Sequence, residues 1–264
     1  MGAGGARVIA TTLAALGPFG DAIEFIFKER ESQAGTVRVG GLGEMWDLTF
    51  THLKLSLAAT LIATLIAMPL GIWLGHIGRY QFLATSTSNI GRAVPALGLV
   101  VFFIAFLGVG FLNVCVALVL LAIPPIITNS YVGIRGVEPE TVDAARGNGL
   151  TERQIALQVE LPMALPTIMG GVRISLVSVI ATATIAPLAN VDTLGRPIIS
   201  PNVYGTAGQL AACIVVALVT LGADAAFAAL QRVATPEGLK LAERGRPGGR
   251  RLAFLSSKRS MQTS

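Results

Sequence analysis

The sequence predicts an all-α integral membrane protein with about five core transmembrane helices. Three observations carry that prediction. Of the 264 residues, 53% are hydrophobic and only 13% are charged, whereas soluble domains carry about 25% charged residues. The charges are also segregated: residues 55–75, 93–134, 174–191 and 197–223 contain no Asp, Glu, Lys or Arg. Finally, the 42-residue run at 93–134 would be twice too long for one crossing, about 63 Å as a helix against about 30 Å of hydrocarbon, so it must be two spans.

Taken in order, the apolar stretch at residues 8–20 ends at Asp21 and Glu24 and is too short to span. It is read as a helix lying at the outer interface, with a sixth span or a poor signal-peptide core as the other readings. Residues 30–43, with Ser, Gln and four Gly, read as a loop leading into Glu44 and the helix before the first span. Spans are then predicted at residues 53–76, 84–107, 112–134, 164–189 and 205–231. The break inside the long run falls at Gly108-Val109-Gly110-Phe111-Leu112-Asn113, where two glycines and an Asn supply turn chemistry. Pro69, Pro95, Pro124, Pro125 and Pro187 are expected to act as kinks.

Orientation follows from Lys and Arg. From Arg232 onward the tail holds eight of them against Glu237 and Glu243, which places the C-terminus in the cytoplasm. Counting back two spans places residues 135–160 on the same side, and two more place the turn at Arg79 there. This basic tail, residues 237–264, reads as disordered and lipid-facing, with no nucleic-acid role.

Between the third and fourth spans lies a polar segment. Glu138-Pro139-Glu140 puts acids and a Pro in a first helical turn. The helix can run through Asp143, Ala144 and Ala145 and end at Gly147 and Gly149. Thr151-Glu152-Arg153-Gln154 restarts one as a capping box, and Pro162 and Pro166 mark entry into the next span. From these residues alone the segment is equally an ordinary loop or a handle presented to a soluble partner.

Its spacing is Asp143-Ala144-Ala145, three residues, Gly149, nine residues, then Val159, Glu160, Leu161, Pro162. This resembles the cytoplasmic loop of membrane subunits of binding-protein-dependent ABC importers: Glu-Ala-Ala, three residues, Gly, nine residues, Ile, any residue, Leu-Pro. Asp143 and Val159 are the two departures. The resemblance extends over residues 50–236 and is nearest the osmoprotectant branch. It rests on Met68-Pro69-Leu70-Gly71-Ile72, Val94-Pro95-Ala96-Leu97, Gly133-Ile134-Arg135-Gly136-Val137, Gly170-Gly171-Val172-Arg173 and Thr182-Ala183-Thr184. The chain departs from that branch at Ala189-Asn190-Val191-Asp192-Thr193-Leu194-Gly195, where a glycine-rich stretch is usual.

The resemblance implies a type I ABC importer permease fold: an extracytoplasmic or interfacial segment 1–50, a transmembrane domain 51–236 with its coupling loop at 135–163, and the tail. It implies that Asp143, Ala144, Ala145, Gly149, Val159, Leu161 and Pro162 form the ATPase-coupling loop, the first four touching an ATPase and Leu161 and Pro162 setting the exit into the span. The implied partners are a pair of ATPase subunits, a second permease copy or a paralogue, an extracytoplasmic substrate-binding protein and the bilayer of a bacterial inner membrane. The implied cargo is glycine betaine, choline or carnitine, with amino acids or another small solute as the alternative.

The chain has no Gly-x-x-x-x-Gly-Lys-Ser/Thr phosphate loop, so it is expected not to be an enzyme, with ATP and Mg on the partner and no cofactor or metal here. Three Tyr and two Trp make an aromatic cage for a quaternary ammonium hard to assemble. Cys115 and Cys213 sit in apolar runs as small hydrophobes. His52 and His76 are placed near span ends, at the interface and without a role. Asp224 and Arg173 are expected to snorkel or pair with a neighbour, and neither is read as a substrate ligand. A secondary transporter would need midplane acids and inverted repeats, which are not visible; an assembly subunit without a path would need no handle.

Overall fold

A computed structural model describes residues 17–35, 37–78 and 94–235. Among the described residues, four helices are long and apolar enough to cross a membrane: Gly41–Ile77, Phe111–Arg135, Glu152–Ala189 and Pro201–Ala234. In chain order the elements are strands β1 (Glu29–Glu31) and β2 (Arg38–Gly40), then helices α1 (Gly41–Ile77), α2 (Ala96–Leu107), α3 (Phe111–Arg135), α4 (Pro139–Gly147) and α5 (Glu152–Ile155). A π turn at Ala156–Glu160 leads into α6 (Leu161–Thr182), a 3-10 turn at Ala183–Ala189, α7 (Gly195–Ile199) and α8 (Pro201–Ala234).

α1 merges the helix expected from Glu44 with the span expected from residue 53 into one element that starts at Gly41. Glu44 fixes that start: one carboxylate oxygen accepts from the Gly40 N–H at 2.6 Å and the other from the Tyr204 hydroxyl at 2.6 Å. The acid thus sits in the first turn, where free amides favour it. The expected loop at 30–43 is instead a two-stranded antiparallel sheet in which Arg30 faces Val39. Residues 17–27 are helical and bury Ala22 and Phe25 against Met45, Leu48 and Tyr204. Most of the interfacial helix expected at 8–20 lies outside the described residues, as do residues 84–93 of the second span and the basic tail. Within that span the backbone at Pro95 is extended, so α2 begins only at Ala96.

The core is a stripe of small residues. Leu55, Ala59, Ala63 and Ala67 recur every four residues along α1 and are fully buried with Val114, Ala117, Leu118 and Ile126 of α3. Lipid offers apolar side chains no reason to leave it, so membrane helices associate by close backbone approach. Gly71 and Gly171 mark the closest points: a Cβ on either would come within 2.6 Å of Ser130 and 2.5 Å of Asn129 respectively. α3 is therefore the central helix, with α1 on one side and α6 on the other. The opposite faces expose Leu57, Leu61, Leu65 and Trp73 of α1 and Leu218 and Leu221 of α8, as a lipid-facing surface does.

His52, expected near a span end, is enclosed by the bundle. It is fully buried because α1 begins well ahead of it, at Gly41, and its Nε2 donates to the Ile180 carbonyl at 2.8 Å. The predicted break at Gly108–Asn113 holds, with Gly108 ending α2 and Gly110 preceding α3. α8 kinks at Gly205, where the predicted fifth span begins.

Arg173 of α6 and Asp224 of α8 form a two-pronged ion pair, Nε to Oδ1 and Nη2 to Oδ2 both at 2.5 Å. Of the two fates expected for them, pairing is the one observed. Unpaired, either charge would be costly within a bilayer. Asp224→Asn is expected to lower the yield of folded, extractable protein several-fold, read by size-exclusion chromatography in detergent. The exchange Arg173→Asp with Asp224→Arg should recover most of it.

Candidate functional site: a polar elbow and its attachment to the bundle

Between α3 and α6 the chain leaves the apolar bundle. α4 buries no residue. Pro139 occupies its first turn, where the missing N–H costs nothing, and Glu140 sits at the positive end of the helix dipole. The helix ends by a two-bond closure: the Leu150 N–H reaches the Ala145 carbonyl at 3.3 Å and the Gly149 N–H reaches that of Arg146 at 3.0 Å. This closure requires a left-handed residue between them, and Gly149 supplies it with φ +84°. Gly147, expected to share the termination, is still helical.

α5 starts with the predicted capping box. The Thr151 hydroxyl accepts from the Gln154 N–H, and the Thr151 N–H donates to Gln154 Oε1 at 2.8 Å. Arg146 locks the two short helices at a fixed angle. Its Nη1 donates to Asp143 Oδ1 at 2.8 Å, and its Nε and Nη2 donate to the two oxygens of Glu152 at 2.8 and 3.1 Å.

The second half departs from expectation. Pro162 and Pro166 do not separate a loop helix from a span. The helix runs unbroken from Glu152 to Ala189, because a π turn directly ahead of Pro162 absorbs the change of register, the Leu161 N–H reaching back five residues to the Ala156 carbonyl.

The predicted loop residues thus fall into two groups. Asp143, Ala144 and Gly149 are exposed on the elbow and Ala145 is half-buried beside them. Val159, Leu161 and Pro162 form its root, half-buried, with Leu161 packed on Ile134, Ala164 and Ile168.

Four polar residues that are not among the expected coupling residues complete the site. His76, at the end of α1, donates through Nδ1 to Glu160 Oε2 at 2.6 Å, and its Nε2 lies 3.6 Å from Glu152. Glu160, Glu152 and Arg146 join the chain of contacts to Asp143. The Asp143 to Arg146 spacing is a helical i, i+3 signal legible in sequence. The other pairings cross the glycine bend or 84 residues of chain, and no local rule reveals them. Beside them a cavity of about 170 Å³ is lined by His76, Arg135, Val142, Asp143, Arg146 and Glu160.

A second concave feature, of about 460 Å³, runs between α6 and α8. Its walls are largely apolar, Ile174 and Val177 among them, and the Arg173–Asp224 pair sits in it.

Residues 67–235 match the family model described as "Binding-protein-dependent transport system inner membrane component". The chain is 34% identical over 198 residues to the carnitine transport permease protein OpuCB of Listeria monocytogenes, an alignment covering 75% of this chain and 91% of that protein. It is 34% identical over 199 residues to the choline transport system permease protein OpuBB of Bacillus subtilis, covering 75% and 92%. Among solved structures it is similar to a chain of the inward-facing MetNI methionine ABC transporter, with a TM-score of 0.66 at 19% identity, covering 74% of this chain and 98% of that one.

Proposed function

Because this chain belongs to the family of binding-protein-dependent transport system inner membrane components, we propose that it is the permease subunit of an ABC importer for an osmoprotectant such as glycine betaine, choline or carnitine. The observation that carries this reading is the family match, which runs unbroken from α1 through the polar elbow to the end of α8. The cargo follows from relatives about one third identical over three quarters of the chain, named for carnitine, choline and glycine betaine transport. Likeness to methionine and amino-acid transporters at 19–20% identity speaks to fold alone and supports no other cargo.

In this reading the work comes from two ATPase subunits, which hold ATP and Mg, and the solute arrives on an extracytoplasmic binding protein. A second copy of this chain or a paralogue completes the path. Asp143, Ala144, Ala145 and Gly149 seat against the ATPase, while Val159, Leu161 and Pro162 carry its displacement into α6. ATP-driven closure draws two elbows together and rocks the bundles between inward- and outward-facing states, the rigid-body transition that coupling requires. The elbow and the C-terminus lie in the cytoplasm, which the positions of Lys and Arg support.

Uptake of radiolabelled glycine betaine, choline and carnitine after osmotic upshift, in cells with and without this gene and its partner genes, tests the reading. At least one should enter saturably only when the gene is present. Deleting residues 138–160 should abolish that uptake and the co-purification of the ATPase with this chain. Uptake of none of the three would overturn the cargo, and an ATPase that still co-purifies after the deletion would overturn the role of the elbow.

A further inference from the structure

We propose that His76 and Glu160 form a latch through which the elbow drives the first span, so that α1 moves with the coupling segment. This rests on the reading of the elbow as the ATPase contact. The elbow is continuous in backbone with α6, so a push on it reaches the fourth span through the helix itself. α1 has no such connection. Met68 and Ile72 of α1 pack beside Leu161 on the cluster of Ile134, Ala164 and Ile168, and its cytoplasmic end makes its polar tie to the segment through His76, whose ring meets Glu160 at 2.6 Å and lies 3.6 Å from Glu152. Glu152 is in turn held by Arg146, which also holds Asp143. An unbroken polar chain thus leads from the exposed face of α4 to the end of α1.

Two features mark the latch as more than a surface contact. Glu160 is only 7% exposed and His76 19%, and a buried carboxylate is tolerated only when paired. Glu160 is also the last residue of the π turn. One residue inserted in a helix rotates the N-terminal part by about 100° relative to the C-terminal part. The turn therefore sets the angle at which α5, with Glu152, stands relative to Glu160 and α6, and at that angle Glu152 lies 3.6 Å from the imidazole that Glu160 holds. The fold itself does not need the pair, because α1 is held along its length by the small-residue core against α3. Its loss should interrupt transmission and spare assembly. His76 and Glu160 are in this sense positioning residues, acting on the path through α1.

The test uses the complete importer in proteoliposomes, with uptake and ATP hydrolysis measured on the same preparation. His76→Ala and Glu160→Leu should each lower uptake tenfold or more, and in Glu160→Leu, which leaves no buried carboxylate unpaired, ATPase activity should stay within twofold. The double variant should be no worse than either single one. Glu160→Gln, which keeps an acceptor oxygen for the imidazole N–H, should retain at least a third of the uptake. Unchanged uptake per ATP in His76→Ala and Glu160→Leu would overturn the latch. So would a parallel fall of uptake, hydrolysis and recovered complex in Glu160→Leu, since that is the signature of a merely structural pair. Gly149→Val serves as the reference: if it too leaves uptake and hydrolysis coupled, the elbow reading has failed; if it uncouples them while the latch variants do not, only the latch has.

Discussion

Gly149→Val is expected to reduce uptake at least tenfold and to leave ATP hydrolysis unresponsive to the binding protein, with the protein still inserted at native levels. Gly149 has φ +84° and ends α4. A left-handed backbone costs an L-residue about 1–2 kcal/mol, and β-branched side chains tolerate it least. A Cβ at this position meets nothing within 4 Å in the chain itself. The damage is therefore to the bend and to whatever docks on it, while the bundle packs as before. Asn is the side chain that best accepts this conformation after glycine, so uptake should fall in the order Gly, Asn, Ala, Val. Insertion, measured by extraction and chromatography, should stay level across the series. Normal transport by the Val variant would remove Gly149 from the coupling role.

The parts of this site legible in the sequence are those written in local terms. The turn at Gly108 and Gly110, the capping box at Thr151 and Gln154 and the glycine end of α4 each need only residues within one or two turns of one another, and all appear where the sequence places them. The same locality explains the misses. The uncharged run begins only at residue 55, and nothing in that pattern reveals that His52 is enclosed by the bundle. The helix expected from Glu44 and the span expected from residue 53 are one element, α1, which carries Glu44, Asp47 and Lys54, and the partner of Glu44, the Tyr204 hydroxyl, lies 160 residues away. Pro162 and Pro166 look like punctuation, yet a π turn lets the helix pass ahead of them. The partners of Glu160 and Asp224, 84 and 51 residues distant, are fixed by helix packing alone. The substrate path is illegible for a related reason: apolar faces turned to lipid and to a wide groove carry the same residue types.

Gly195→Ala is expected to be the most destabilising single substitution of a glycine here, although it adds one methyl group. α7 begins at Gly195 where it crosses the 3-10 turn at Ala183–Ala189, and a Cβ there would overlap the Thr184 carbonyl oxygen. Neither partner can retreat. Ala183, Ala186 and Ala189 of the turn are fully buried, as is Leu194 beside the glycine. Thr193 ties the two segments, its hydroxyl donating to the Ala183 carbonyl at 2.9 Å and accepting from the Gly195 N–H at 3.3 Å. Overpacking of a side chain costs about 1–3 kcal/mol, and a clash with backbone lies at or above the top of that range. At about 2–4 °C per kcal/mol for a domain of this size, the melting temperature of the detergent-purified complex should fall by about 6 °C or more. Gly222→Ala provides the contrast, because its Cβ meets nothing within 4 Å and alanine in a helix interior is favoured by about 1 kcal/mol. That variant should melt at or above the native temperature. Since the Gly195 crossing sets where α8 enters the bundle, the same variant should also disturb the Arg173–Asp224 contact. Uptake should then fall more steeply than stability alone explains, whereas equal melting of the two variants would refute the close crossing.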